Sequence, residues 1–266
     1  MSLDQQIDQL IKPIAQGLSD IVFYQISVFG QGFPLIVLWL VTAAVFFTAY
    51  LGFINIRGFS SAINIVSGKN GKSRGAGEIS HFQALSTAIS GTVGVGNIGG
   101  VAVAITLGGP GAAFWLFMAG FLGMSTKFVE CTLGVKYRRE NADGSVSGGP
   151  MYYLERYLLD RGFPQLGKLL GGFYALSLVI GCFGIGNMFQ SNQAYVQVLS
   201  ITGGEDSFFA DKGWLFGLLL ASSVGAVIIG GIRSIANVAS KIVPFMAVLY
   251  VFSAILIIAM CAEHLL

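Results

Sequence analysis

Residues 82–101 read Phe-Gln-Ala-Leu-Ser-Thr-Ala-Ile-Ser-Gly-Thr-Val-Gly-Val-Gly-Asn-Ile-Gly-Gly-Val, with five glycines between Gly91 and Gly100 and Thr92 and Asn97 among them. Each interior glycine costs a helix about 1 kcal/mol relative to alanine. If such a stretch unwinds, its freed carbonyls can coordinate Na⁺, and the N–H groups that open the next half-helix can receive a carboxylate. Unpaired backbone in hydrocarbon costs several kcal/mol per group, so a break survives only where protein surrounds it or it lines a cavity. A close-packed interface of small residues fits the same glycines. Asn97 weighs against that second reading, because an amide in mid-membrane needs a partner. The string Gly94-Val-Gly96-Asn-Ile-Gly99 is no dinucleotide fingerprint: that motif needs a preceding strand and a βαβ unit, and here it lies inside an apolar span.

A second polar group lies in Gly184-Ile-Gly-Asn187-Met-Phe-Gln190-Ser-Asn192-Gln193. Asn187 and Gln190, three residues apart, share a face of an α-helix and with Ser191 form a polar stripe. The stripe can hydrogen-bond a substrate, or it can tie helices together at about 0.6 kcal/mol per contact. The substrate role is preferred for Asn187 and Gln190, and a solvated helix end for Asn192 and Gln193. Lys127 and Glu130, at i and i+3, suit an ion pair, with a structural role preferred over gating; Lys127 can also snorkel to the interface. His81 and His264 are isolated at span ends. Cys131, Cys182 and Cys261 are scattered singly and give neither a metal spacing nor a disulfide framework. The apolar segments carry no Ser–His–Asp set, carboxylate pair or metal cluster, which argues against an intramembrane enzyme.

These residues sit in elements built for lipid. Hydrophobic residues make up 54% of the 266-residue chain and charged residues 11%, and the mean hydropathy is +0.74. A soluble domain carries roughly 25% charged residues; with so few, the chain could not cover a water-facing surface. The first 20 residues hold Asp4, Asp8 and Asp20 with no basic stretch ahead of an apolar core, so no cleavable signal is expected. A membrane helix needs about 20 mostly apolar residues. Such runs occur at about 33–53, 82–107, 112–134, 169–198, 214–232 and 242–262, predicting an all-α polytopic membrane protein of about six spans. Residues 1–32 form an N-terminal segment with an interfacial helix over Leu10–Phe29, and residues 33–266 form the transmembrane domain. Asn55–Ser80 reads as a polar, glycine-rich loop, and Met151–Leu159 as an amphipathic segment inside a long basic loop.

Charge orients the stack, because cytoplasmic loops accumulate Lys and Arg. Arg57, Lys69, Lys72 and Arg74 fall in the first loop. Lys136, Arg138, Arg139, Arg156, Arg161 and Lys168 fall in the third, and Arg233 and Lys241 in the fifth. With six alternating spans all three loops share one side, whereas the other side holds Lys12 and Lys212 with Glu205, Asp206 and Asp211. The arrangement places the chain in a plasma or bacterial inner membrane with both termini extracytoplasmic.

The segment 82–98 resembles the hallmark segment of the alanine/glycine:cation symporter family. So do Gly108-Gly-Pro-Gly-Ala-Ala-Phe-Trp115, Gly123-Met-Ser-Thr-Lys127 with Glu130, Gly148-Gly-Pro-Met-Tyr-Tyr153, and Phe183-Gly-Ile-Gly-Asn187 with Gln190. The resemblance runs from about residue 80 to 245. It implies the leucine-transporter fold, two inverted five-helix repeats preceded here by one extra span, and inward carriage of alanine or glycine with Na⁺, less often H⁺. By the same resemblance, carbonyls near Ser90, Thr92 and Val93 and the side chain of Asn97 are Na⁺ ligands, and the amides of Gly94 and Gly96 hold the substrate carboxylate. Thr92, Asn187 and Gln190 join the substrate site. Family members carry roughly twice the spans found here. The chain therefore matches the extra helix plus the first repeat, and a missing C-terminal half is expected to be needed for transport.

The leading function is Na⁺-coupled symport of a small neutral amino acid by alternating access, with the lipid bilayer and the missing C-terminal half as further partners, no nucleic acid and no organic cofactor. A non-transporting membrane scaffold that packs with a partner half is the alternative. A channel is disfavoured, since no ring of charged or carbonyl-filter residues stands out.

Overall fold

The computed structural model describes residues 3–28, 30–69 and 79–261. They are helical apart from two small hairpins. Helix α1 (Leu3–Val22) leads to strands β1 (Gln25–Val28) and β2 (Gln31–Pro34), paired antiparallel with Ile26 opposite Phe33. There follow α2 (Leu35–Tyr50), α3 (Ile54–Arg57), α4 (Phe59–Val66), α5 (His81–Thr92), α6 (Val95–Gly108) and α7 (Pro110–Lys136). Strands β3 (Arg139–Glu140) and β4 (Val146–Ser147) form the second hairpin. Helices α8 (Pro150–Asp160) and α9 (Pro164–Gly181), a π-helical segment at Cys182–Met188, α10 (Phe189–Ile201), α11 (Gly213–Ile228) and α12 (Gly231–Met260) complete the chain.

Among the described residues three helical runs are long and apolar enough to cross a membrane: Pro110–Lys136, Pro164–Ile201 and Gly231–Met260. The pair α5–α6 passes the same test as one bent span. Helices α2 and α11 are apolar but only 16 residues each, about 24 Å against a hydrocarbon core of about 30 Å. Large apolar side chains such as Trp39, Phe117, Phe173 and Val248 lie about 70% exposed, the surface of a chain whose helices face lipid rather than water.

The chain divides into two compact units, residues 1–59 with 111–131 and residues 60–110 with 132–266. In the first, Thr48 of α2 and Ser125 of α7 are buried, and Thr48 Oγ1 donates to Ser125 Oγ at 3.0 Å. Asn55 Nδ2 donates to the Phe121 carbonyl at 3.2 Å. In the second, α5 packs on α12, and buried Ser86 lies on the former and buried Ala236, Ala239 and Val243 on the latter. Small residues on packed faces let backbones approach where hydrophobicity alone cannot drive helices together.

Several sequence expectations are corrected. The helix expected over Leu10–Phe29 runs instead over Leu3–Val22, and residues 25–34 form the β1–β2 hairpin with Gly30 left-handed (φ +78°) in its connection. Residues 54–66, expected within a loop, are the helices α3 and α4; Lys72 and Arg74 lie outside the described residues, as does His264. Here α2 ends in two left-handed residues, Gly52 (φ +59°) and Phe53 (φ +57°), and the chain re-enters helix immediately. Arg233 and Lys241 belong to α12, not to a loop, because Gly231 (φ +68°) turns the chain and the helix starts there. At 30 residues α12 is about 45 Å long, so its first turns extend past the hydrocarbon and can carry charge.

Candidate functional site

The glycine-rich span breaks at two residues. Helix α5 ends at Thr92 and α6 begins at Val95, with Val93 (φ −88°, ψ 108°) and Gly94 (φ −134°, ψ −169°) extended between them and a bend of 47°. The start of α5 is fixed by a capping box, in which Ser80 Oγ accepts from the Gln83 N–H and Gln83 Oε1 accepts from the Ser80 N–H. Gln83 Nε2 also donates to Asn237 Oδ1 at 2.6 Å, tying α5 to α12. Residues 96–100, which the glycine content left open to unwinding, are helical, so the break is narrower than the glycine run. Among the described residues nothing lies within 4 Å of where a Cβ would stand at Gly91, Gly96 and Gly100.

At the break the first N–H groups of α6 have no acceptor one turn back. The Val95 N–H donates to Gln190 Oε1 at 3.1 Å, the Asn97 N–H to the Gly94 carbonyl at 3.0 Å, and the Gly94 N–H to Asn97 Oδ1 at 3.2 Å. Asn97 thus folds back as the third residue of a helix does in a capping box. Gln190 lies over Gly94: a Cβ there would stand 3.0 Å from Nε2 and 3.2 Å from Oε1, so the amide would have to give way. The Gly96 N–H also lies in the first turn, where helix geometry supplies no partner.

On the other side of the break, Thr92 Oγ1 donates to the Ala88 carbonyl at 2.7 Å and Ser90 Oγ to the Thr87 carbonyl at 2.8 Å. Both hydroxyl protons are therefore held, and the oxygens keep lone pairs for a cation. Helix α5 runs into the break with its last carbonyls, and α6 leaves it with its first N–H groups. The dipoles of both half-helices then place partial negative charge on one side and partial positive charge on the other. A cation and a carboxylate are the ligands such a junction suits.

The structure brings Gln190 to this junction but treats Asn187 differently. Asn187 lies in the π-helical segment that precedes α10 and is exposed. Ser191 Oγ donates back to the carbonyls of Asn187 and Met188. Lys127 Nζ and Glu130 Oε2 form an exposed ion pair of 2.9 Å on α7. Sequence reasoning missed the Gln83–Asn237 bond; the Ser-x-x-Gln spacing at Ser80–Gln83 marked the helix start, but nothing local marked its partner 154 residues on.

A bent apolar span, opened by glycine and closed by amide side chains, is the form of a membrane transporter's binding region, and comparison with known proteins gives its kind. The profile of the sodium:alanine symporter family matches residues 16–266, and the chain belongs to that family. It is 43% identical over 227 residues to the sodium/alanine symporter AgcS of Methanococcus maripaludis, covering 85% of this chain and 48% of that protein. It is 42% identical over 201 residues to the putative sodium/proton-dependent alanine carrier protein YrbD of Bacillus subtilis, covering 76% and 38%. It is 34% identical over 224 residues to the probable sodium/glutamine symporter GlnT of Bacillus subtilis, covering 84% and 44%. The chain spans about half the length, or less, of the curated relatives it matches. The family is one of multi-pass membrane transporters for amino acids and not of enzymes.

Proposed function

We propose that this chain supplies the ion- and substrate-binding broken helix of a symporter that moves a small neutral amino acid, alanine or glycine, with Na⁺ across the plasma or inner membrane by alternating access. The observation that carries the reading is the two-residue break at Val93–Gly94, held open by Asn97 and Gln190. Na⁺ is coordinated by carbonyls near Ser90, Thr92 and Val93 and by Asn97 Oδ1. The substrate carboxylate is received by the N–H groups of Gly94 and Gly96, with Thr92, Asn187 and Gln190 around the amino acid. The Gly94 N–H donates to Asn97 Oδ1 at 3.2 Å; a carboxylate would exchange that bond for a charge-assisted one, roughly twice as strong. The six-span topology, the inverted repeat and the second half of the cavity belong to the same reading.

Na⁺ as the coupling ion rests on the family and on the relatives' names, with H⁺ the less favoured ion. Uptake of labelled alanine into proteoliposomes, with and without a Na⁺ gradient, tests the proposal. Uptake that follows the gradient supports symport. Flux that ignores the gradient removes it, and no flux from the intact natural gene product favours a scaffold.

A further inference from the structure

A cavity unconnected with the broken helix lies at the end of α7, within the second unit. Helix α7 and the run Pro164–Ile201 that α9 opens are both long enough to cross the membrane, which places the connection between them, residues 137–163, at the membrane surface. Within it α8 is about 16 Å long and is seated on α9 through glycines. A Cβ at Gly167 would stand 2.9 Å from the Glu155 carbonyl oxygen, and one at Gly171 2.9 Å from that of Met151. Both glycines are buried, so one face of α8 is fixed against backbone.

The adjacent face carries Tyr152, Glu155, Arg156 and Leu159, spaced i, i+3, i+4 and i+7. It opens onto a cavity of about 340 Å³ completed by Tyr137 and Arg139. Other cations nearby are already engaged: Arg138 pairs with Glu140 at 3.1 Å, and Arg161 lies over the Tyr157 ring at 5.2 Å and Lys136 over Tyr137 at 5.3 Å. Among the described residues neither Arg139 nor Arg156 has a carboxylate partner. Two guanidinium forks and two phenols suit phosphate oxygens. Glu155 on the same wall opposes a purely anionic ligand but accepts hydrogen bonds from a primary ammonium. Leu159, 56% exposed, supplies apolar contact beside them.

We propose that this cavity binds the headgroup of a membrane phospholipid bearing both a phosphate and a primary ammonium, that is, phosphatidylethanolamine. Arg139 and Arg156 hold the phosphate, and Glu155 holds the ammonium. A choline headgroup has no N–H for Glu155, and a glycerol headgroup brings no positive charge. Basic pockets at the ends of membrane helices bind phospholipid headgroups by the same electrostatics, at about 1 kcal/mol, or roughly fivefold, per basic residue.

The test is lipid retention. The purified protein in nanodiscs of equal phosphatidylethanolamine, phosphatidylglycerol and phosphatidylcholine is transferred to detergent, and the lipid that stays bound is measured by native mass spectrometry. Expected is enrichment of phosphatidylethanolamine of roughly fivefold or more over the other two, from the charge-assisted hydrogen bonds that it alone gives Glu155. It should be lost in the double variant R139A/R156A, because the phosphate anchor common to all three lipids is gone. In E155Q phosphatidylglycerol should be retained as well as phosphatidylethanolamine. Equal retention of all three lipids by the unaltered protein, or enrichment unchanged in R139A/R156A, overturns the proposal. So does an unchanged ratio of the two lipids in E155Q, which decides the matter alone if the arginine variant does not fold. Displacement of the lipid by excess inorganic phosphate or free alanine would assign the cavity to a soluble ligand and also overturn it.

Discussion

Introducing a methyl group at Gly94 tests whether Gln190 holds the break open. Gly94 has an extended backbone that alanine can adopt, but alanine is a poorer N-cap than glycine, at a cost of about 1 kcal/mol that has nothing to do with Gln190. The added Cβ would stand 3.0 Å from Gln190 Nε2 and 3.2 Å from Oε1, the far end of a side chain that can swing away. Swinging away breaks the 3.1 Å bond from the Val95 N–H. A buried donor left without a partner costs about 1–3 kcal/mol, and for this half-buried pair the lower figure applies. Gln190→Ala should therefore cost about 1 kcal/mol and Gly94→Ala about 2 kcal/mol, the lost bond plus the poorer cap. Because both lose the same bond, the double variant should cost little more than Gly94→Ala alone, a coupling of about 1 kcal/mol. Denaturant unfolding of the purified protein in detergent gives the three differences. Costs that add within about 0.3–0.5 kcal/mol would refute the shared bond. Gln190→Glu keeps the acceptor for Val95 and should retain most of the stability that Gln190→Ala loses.

Other expectations follow from particular contacts. Ser125→Ala removes the 3.0 Å partner of the buried Thr48 hydroxyl and leaves it the Leu122 carbonyl at 3.4 Å; it should destabilise by about 0.5–1.5 kcal/mol, the worth of one hydrogen bond, as equilibrium unfolding measures. Gly167→Ala sets a Cβ 2.9 Å from the Glu155 carbonyl oxygen and 3.1 Å from its Cα. The backbone of α8 must then shift, at about 1–3 kcal/mol, and hydrogen exchange over residues 150–160 should quicken. In the turn between β3 and β4, Asp143 Oδ1 accepts from the Ser145 hydroxyl at 2.6 Å and its N–H at 3.0 Å, and these bonds hold the carboxyl below its ordinary 3.8. A lowered folded-state pKa gives stabilisation that is complete above 3.8 and lost as pH falls through the lowered value. Protection of the Ser145 amide should therefore be flat at neutral pH and collapse only in strong acid, and be insensitive to that fall in Asp143→Asn.

The break was legible because glycine cost and amide burial act locally, on residues adjacent in sequence. Its extent was not. Gly91 on one side of the junction and Gly96, Gly99 and Gly100 on the other all lower helix propensity, and the helix resumes at Val95 because Gln190 accepts from the Val95 N–H and Asn97 folds back on Gly94. One of those partners lies 95 residues away, beyond any local signal. The π-helical winding of Cys182–Met188, which contains Asn187, was likewise not legible, because no local sequence signal distinguishes it from an α-helix. The apolar runs marked where helices lie, but glycine turns at Gly52 and Gly231 set where they begin and end, which moved Arg233 and Lys241 from a loop into α12. The amphipathic stretch over Met151–Leu159 was legible from its pattern and is α8, although the cavity beside it needs Tyr137 and Arg139 from another element.

The central claim is that Asn97 and the backbone around Val93 bind Na⁺ for an amino-acid symporter. The most direct measurement is the Na⁺ dependence of alanine uptake by the intact protein in proteoliposomes, compared between the unaltered protein and Asn97→Ala. Loss of one oxygen ligand, together with the bond that orders the Gly94 N–H, is predicted to raise the Na⁺ concentration for half-maximal uptake by about tenfold or more, as a difference of roughly 1.4 kcal/mol requires. An unchanged Na⁺ dependence in a variant that still transports would contradict the assignment.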